Sequence, residues 1–252
     1  MNIAVYGSSS SGNCVRVVSR DGLGIYIDAG VFPQNLKTAH APIANATFLI
    51  THEHGDHAKY VKPLADRFGC YFAAPEQTLA KFNIAPRRKI VINPGQSICR
   101  NGAKIEAFPV VHDNAANPVG YIIEMDGERL LYMTDIGKLP SESDLPQCDI
   151  YFIEANYTPK KIRDNILSGK VPQTVAERTI SGFGHIGLDQ AIRFVEPRAA
   201  HATKIIFGHI SRQNFDFEEA KTMIPPEIKK KIRYAQAGAI YTTLWGEADD
   251  NQ

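Results

Sequence analysis

In the heptapeptide Thr51-His52-Glu53-His54-Gly55-Asp56-His57, five side chains can take a charge or bind a metal, and the apolar run Phe48-Leu49-Ile50 leads straight into it. Three imidazoles and two carboxylates are costly beside a buried strand unless something binds them. His52 and His54 alternate, so an extended segment points them the same way. Gly55 eases a turn after them. A chain that bends there can offer His52 and His54 to one metal ion and Asp56 and His57 to another. Imidazole suits zinc, manganese and related borderline ions, and a carboxylate between two cations can bridge them. The spacing is not that of HExxH peptidases: Asp56 stands where the second histidine belongs, and the context is strand and turn rather than helix.

Each ion needs further ligands, and three other apolar runs end in a suitable side chain. Phe108-Pro109-Val110-Val111 leads to His112, Leu130 to Thr134 leads to Asp135, and Lys204 to Gly208 leads to His209. Loops at strand ends are where rigid scaffolds place reactive groups. Of the eight histidines, His40 and His201 read as ordinary surface or core groups.

The elements that must position these residues follow from pattern. Strands are expected over 2–6, 14–19, 24–28, 46–50, 103–110, 119–125, 129–134, 149–153, 203–207 and 239–244. Gly7 and the serines after it read as a loop, and Asp126-Gly127-Glu128 as a hairpin turn. Helices are expected over 58–67, with Pro63 an internal penalty, and over 158–168 and 187–196, where Leu188, Ile192 and Val195 share a face. A basic-faced helix is expected over 227–236. The 252 residues are 44% hydrophobic and 22% charged, enough for one layered α/β domain spanning 1–252. A net charge of +1 argues against nonspecific coating of DNA without excluding a local basic patch. Cys14, Cys70, Cys99 and Cys148 form no CxxC pair, and no signal peptide or membrane span is evident, so the expected location is the cytoplasm.

THEHGDH resembles the HxHxDH signature of the metallo-β-lactamase fold superfamily. GSSSSGNC, IDAG, VVHDNAANPVGY, MTDIG, IEAN, GHIG and FGHIS continue the likeness in order, and it is similar to the YycJ/WalJ-like branch, which includes nucleases. The resemblance implies an αββα sandwich of two mixed β-sheets flanked by helices, with two divalent ions, Zn2+ or Mn2+. It implies that His52, His54 and His112 hold the first ion, that Asp56, His57 and His209 hold the second, and that Asp135 bridges. Asp28 would steady the histidine loop from behind. His185, in Gly184-His185-Ile186-Gly187, would contact the scissile phosphate or protonate the leaving oxygen. Gly187 departs from the Ser or Thr that relatives often carry. Glu154 would orient His185 or the metal ligands, so that Asp56, His185 and Glu154 form the implied catalytic set. Asn13, Asn156 and Arg212 are expected to hold the metal loop or the substrate phosphate.

The expected reaction is hydrolysis of a phosphate diester by a water that two divalent ions activate. The branch implies DNA, cut as a 5′-to-3′ exonuclease. Cationic runs that could line a strand are Arg87-Arg88-Lys89, Lys160-Lys161 with Arg163, and Lys229-Lys230-Lys231. The chief alternative is a nucleotide-like small molecule such as a cyclic nucleotide or cyclic phosphate, for which Phe183 and Tyr157 could form stacking walls. Hydrolysis of a carbon ester or thioester, and a binding module without catalysis, are the weaker readings. No insertion between Asp135 and His209 resembles a separate nucleic-acid-gripping domain, and no tRNA-holding arm is apparent. The oligomeric state is open, a homodimer being one option.

Overall fold

The computed structural model describes residues 1–32, 43–141 and 144–242, so His40 lies outside the described residues. The chain forms two compact units: residues 1–109, 115–129 and 235 onward make one, and residues 110–114 and 130–234 the other. In chain order the elements are β1 (Asn2–Ser9), β2 (Gly12–Val18), β3 (Gly24–Ile27), β4 (Thr47–Leu49), α1 (Gly55–Ala58), α2 (Val61–Phe68), β5 (Tyr71–Ala74), α3 (Glu76–Ala80), β6 (Lys89–Val91), β7 (Ser97–Arg100), β8 (Ala103–Pro109) and β9 (Val119–Met125). There follow β10 (Glu128–Met133), β11 (Ile150–Glu154), α4 (Pro159–Leu167), α5 (Gln173–Ile180), α6 (Leu188–Val195), β12 (Lys204–Gly208), α7 (Phe217–Met223), α8 (Pro226–Lys229), β13 (Ile232–Tyr234) and β14 (Ile240–Thr242).

The first unit contains a whole seven-stranded sheet in the order β14-β1-β2-β3-β4-β5-β6, antiparallel from β14 to β3 and parallel from β3 to β6. Its register is fixed by an aromatic row. Tyr26, Phe48 and Phe72 are direct partners across β3, β4 and β5, and their rings stack at 4.6 and 5.5 Å between centroids. A one-residue slip would turn all three to the other face. That register sets where β3 and β4 end, and so where Asp28 and Thr51 stand. Phe48→Ala should therefore cost about 3–5 kcal/mol in a denaturant titration; a loss below about 1 kcal/mol would show that the row does not fix the sheet.

The first unit also holds the antiparallel run β7-β8-β9, and a parallel run β10-β11-β12-β13 characterises the second. The turns joining β7 to β8 and β9 to β10 are Asn101-Gly102 and Asp126-Gly127. All four residues have positive φ, as such tight hairpins require. In the second unit, α6 buries Leu188, Ala191, Ile192, Phe194 and Val195, and Phe194 meets Tyr151 of β11 edge-on.

Three expectations need correction. The Gly7-to-Ser9 stretch is not a loop: β1 continues through Ser9, pairing Gly7 with Cys14 and Ser8 with Asn13 after a bulge. Glycine allows it, because a side chain at position 7 would meet the Gly12 carbonyl at 2.6 Å. Residues 227–236 are not a helix. Only Pro226–Lys229 is helical, and Ile232–Tyr234 pair in parallel with β12, where Tyr234 packs against Phe215 and Phe217. An open sheet edge and an aromatic pocket outweigh the helical spacing. Pro63 carries little penalty, since it falls in the first turn of α2, where backbone N–H groups have no intrahelical partner.

Candidate metal centre

In the first unit the histidine segment leaves β4 and closes into the single turn of α1. His57 and Ala58 donate their N–H groups to the His54 carbonyl, so Asp56 and His57 are helical rather than in the simple bend expected at Gly55. The imidazoles converge: His52 lies 4.6 Å from His54 and 4.2 Å from His57 between ring centroids, and Asp56 Oδ2 is 3.6 Å from His57 Nε2. His52 and His57 are buried.

The partners behind these rings decide what they can bind. Asp28 is fully buried, and its Oδ2 lies 2.8 Å from His57 Nδ1. Its Oδ1 accepts from both the N–H and the hydroxyl of Thr51, each at 2.9 Å. With its hydroxyl proton committed to Asp28, Thr51 Oγ1 accepts from His52 Nδ1 at 3.0 Å. Both rings thus donate from Nδ1 and keep the lone pair on Nε2, the tautomer a metal ligand needs. Asn13 Nδ2 donates to the Ser9 carbonyl and lies 3.4 Å from the Asp56 carbonyl and 2.8 Å from His57 Nε2, tying the β1–β2 hairpin to the metal loop. Both oxygens of Glu53 accept from the Ala116 N–H.

Gly30, in the IDAG stretch, is the tightest point. A Cβ there would stand 1.6 Å from the Asp56 carbonyl oxygen, while the Gly30 N–H donates to the Asn13 carbonyl. Gly30→Ala should displace α1, costing about 1–3 kcal/mol of stability or more and weakening metal affinity. An unchanged melting temperature and zinc titration would refute this close approach.

In the second unit, Asp135, Glu154, His185 and His209 each bring a ligand atom within 4.8 Å of the others. Asp135 Oδ1 is 3.2 Å from both His209 Nε2 and His185 Nδ1. Asp135 (φ 52°) and His209 (φ 50°), like Asp28 (φ 62°) in the first unit, adopt the left-handed conformation just past a strand end. Such backbone is strained for histidine and concentrates at functional sites. Asn156 donates from Nδ2 to the His209 carbonyl, which braces that turn. His112 Nδ1 donates to the Gly184 carbonyl at 3.1 Å, which again leaves Nε2 as the ligand atom. Arg212 is exposed on the loop after His209.

Glu154 is fully buried; its Oε2 accepts from the Ile136 N–H, and its Oε1 lies 2.7 Å from His185 Nδ1. Burial pushes the Glu154 carboxyl above its ordinary range. Burial acts downward on His185, but the Glu154 carboxylate and the hydrogen bonds to Asp135 and Glu154 override it and raise the imidazole. Gly187 caps α6 through the Gln190 side chain, and a Cβ there would stand 2.5 Å from the Tyr157 ring, so Ser or Thr has no room. Tyr157 itself is buried and is not a stacking wall.

The donor set fits divalent ions: imidazoles, of which His52, His57 and His112 have Nδ1 held from behind, and carboxylates to balance charge. Thr51, Gly30 and the Gly184 carbonyl had no role assigned from sequence. Thr51 stood inside the heptapeptide, and its place at a strand end before two histidines was the available signal.

Residues 25–210 match the family described as the Beta-lactamase superfamily domain. The chain is 25% identical over 244 residues to the exodeoxyribonuclease YycJ of Bacillus anthracis, covering 92% of this chain and 90% of that one. It is 27% identical over 226 residues to the exodeoxyribonuclease WalJ of Streptococcus pneumoniae, covering 84% and 82%. Among solved structures, the metallo-β-lactamase fold protein YhfI of Bacillus subtilis superposes with a TM-score of 0.73 at 15% identity, over 95% of this chain and 98% of that one. Zn(2+)-bound PqqB of Methylobacterium extorquens gives 0.72 at 14%, over 96% and 100%. The chain belongs to the β-lactamase superfamily and has its αββα fold, two mixed β-sheets flanked by helices. It is a metal-dependent hydrolase of that superfamily, with candidate ligands for a dinuclear site.

Proposed function

We propose that the chain is a phosphodiesterase acting on DNA, a 5′-to-3′ exodeoxyribonuclease. In this reading His52, His54 and His112 take one divalent ion, Asp56, His57 and His209 take a second, and Asp135 is shared. Ions so held supply Lewis acidity toward a phosphoryl oxygen and lower the pKa of water. The observation that carries phosphate chemistry is His185. Its Nδ1 is engaged by buried Glu154, its side chain is 24% exposed, and it is not needed in either ligand set. Nε2 is then the atom that meets substrate, as a donor to a phosphoryl oxygen or a proton source for the leaving oxygen. A carbon ester with a good leaving group has less need of such a donor.

The two exodeoxyribonucleases at 25% and 27% identity support DNA as substrate. The cationic runs contribute unequally. Arg88 is engaged by the Tyr71 ring and the Gly69 carbonyl, Lys89 by the Leu79 carbonyl, and Lys231 by the Ala199 carbonyl, so these serve the fold. Lys160 and Arg163 on α4 are exposed and remain available to a phosphate backbone. The test compares zinc- or manganese-loaded protein on 5′-phosphorylated single strands, duplexes and cyclic mononucleotides. Progressive release of mononucleotides from 5′ ends is expected. Turnover confined to cyclic mononucleotides would replace DNA with a small-molecule substrate.

A further inference from the structure

Phe183 is 60% exposed, although the backbone that carries it is held on every side. Its carbonyl accepts from the Asp113 N–H at 2.8 Å, and its N–H reaches Ser181 Oγ. Gly137 packs so closely that a Cβ there would lie 2.3 Å from Phe183 Cα. Gly184 approaches the Arg178 carbonyl equally closely, and the His185 N–H donates to the Thr179 carbonyl. An Arg178–Asp113 ion pair at 2.6 Å closes the frame. The frame fixes the backbone and leaves most of the Phe183 side chain open to solvent. Phe183 stands two residues before His185, and the next carbonyl, that of Gly184, orients His112.

We propose that Phe183 is a stacking platform for the nucleobase of the nucleotide whose phosphate is held at His185. The inference rests on the phosphodiesterase reading and names the part of the substrate, beyond the phosphate, that the site recognises. Every base has a π-face, so an aromatic ring binds a strand without reading its sequence. A backbone fixed in advance loses little freedom when the base arrives. Of the other exposed apolar side chains described in this unit, Val111, Leu167, Val175 and Ile180 are aliphatic and offer no such face, and Phe217 packs edge-on against Phe215 and Tyr234.

Stacking is read without turnover from the fluorescence of a 5′-phosphorylated single strand carrying 2-aminopurine at its 5′ end. Wild-type protein and Phe183→Trp should quench it, and Phe183→Ala should bind roughly five- to hundredfold more weakly. Phe183→Leu should resemble alanine, since apolar area alone does not stack. With an abasic residue in place of the terminal base, wild type and Phe183→Ala should bind alike. Equal quenching by wild type and Phe183→Ala would overturn the proposal, as would an equal loss on the abasic strand, which would make the ring a contact for sugar or for a protein partner. Wild-type hydrolysis of the same strand is scored separately: its absence defeats the reaction assigned above, whereas the quenching result stands or falls alone.

Discussion

Asp135→Asn is expected to lower kcat/KM for a phosphodiester by about a thousandfold or more and to reduce the divalent ion bound per chain. Ions at such a site are worth several kcal/mol of transition-state stabilisation, and Asp135 is the carboxylate assigned to both. Asparagine is the informative choice because it tolerates the left-handed backbone at φ 52°. The variant should fold, so its defect reports charge and ligation rather than collapse. In the metal-free protein it should melt no lower than wild type, since the substitution removes an acid buried beside the Glu154 carboxyl. Metal titration and steady-state kinetics on one preparation check both halves. Full activity with two ions bound would remove Asp135 from the centre.

His185→Ala is expected to lower kcat by about 10²–10⁴, the range for a lost proton donor, while both ions stay bound. That separation of rate from metal content distinguishes His185 from the ligands. Glu154→Gln should fall between wild type and His185→Ala. The amide oxygen can still accept from His185 Nδ1, yet the charge that raises the imidazole is gone. A substrate with a very acidic leaving group should be spared in both variants, because it departs without a proton. If His185→Ala lost its metal along with its rate, His185 would be a ligand and its assigned role would fail.

Much of the site was legible because its ligands are of rare type at fixed spacing after apolar runs. THEHGDH, His112, Asp135 and His209 all follow a strand, and strand ends were readable from hydrophobicity alone. What escaped was whatever depends on close backbone approach. Gly30 looked like any turn glycine, yet a methyl group there would strike the Asp56 carbonyl. The Gly7-to-Ser9 stretch has loop composition, but its pairing with Cys14 and Asn13 keeps it in the sheet. Asn101-Gly102 carries a hairpin signal that exposes β7, though that strand is only half-buried and weakly patterned. The helix expected over 227–236 failed because β12 offered an edge that no local propensity reveals.

The central claim is that these side chains hold a pair of divalent ions. The direct measurement is elemental analysis of protein stripped of metal, reloaded with zinc or with manganese and desalted. Two equivalents per chain are predicted for wild type, with losses in the His57→Ala and His209→Ala variants and none in His185→Ala. Fewer than one equivalent bound by the folded wild-type chain, with either ion, would contradict the account.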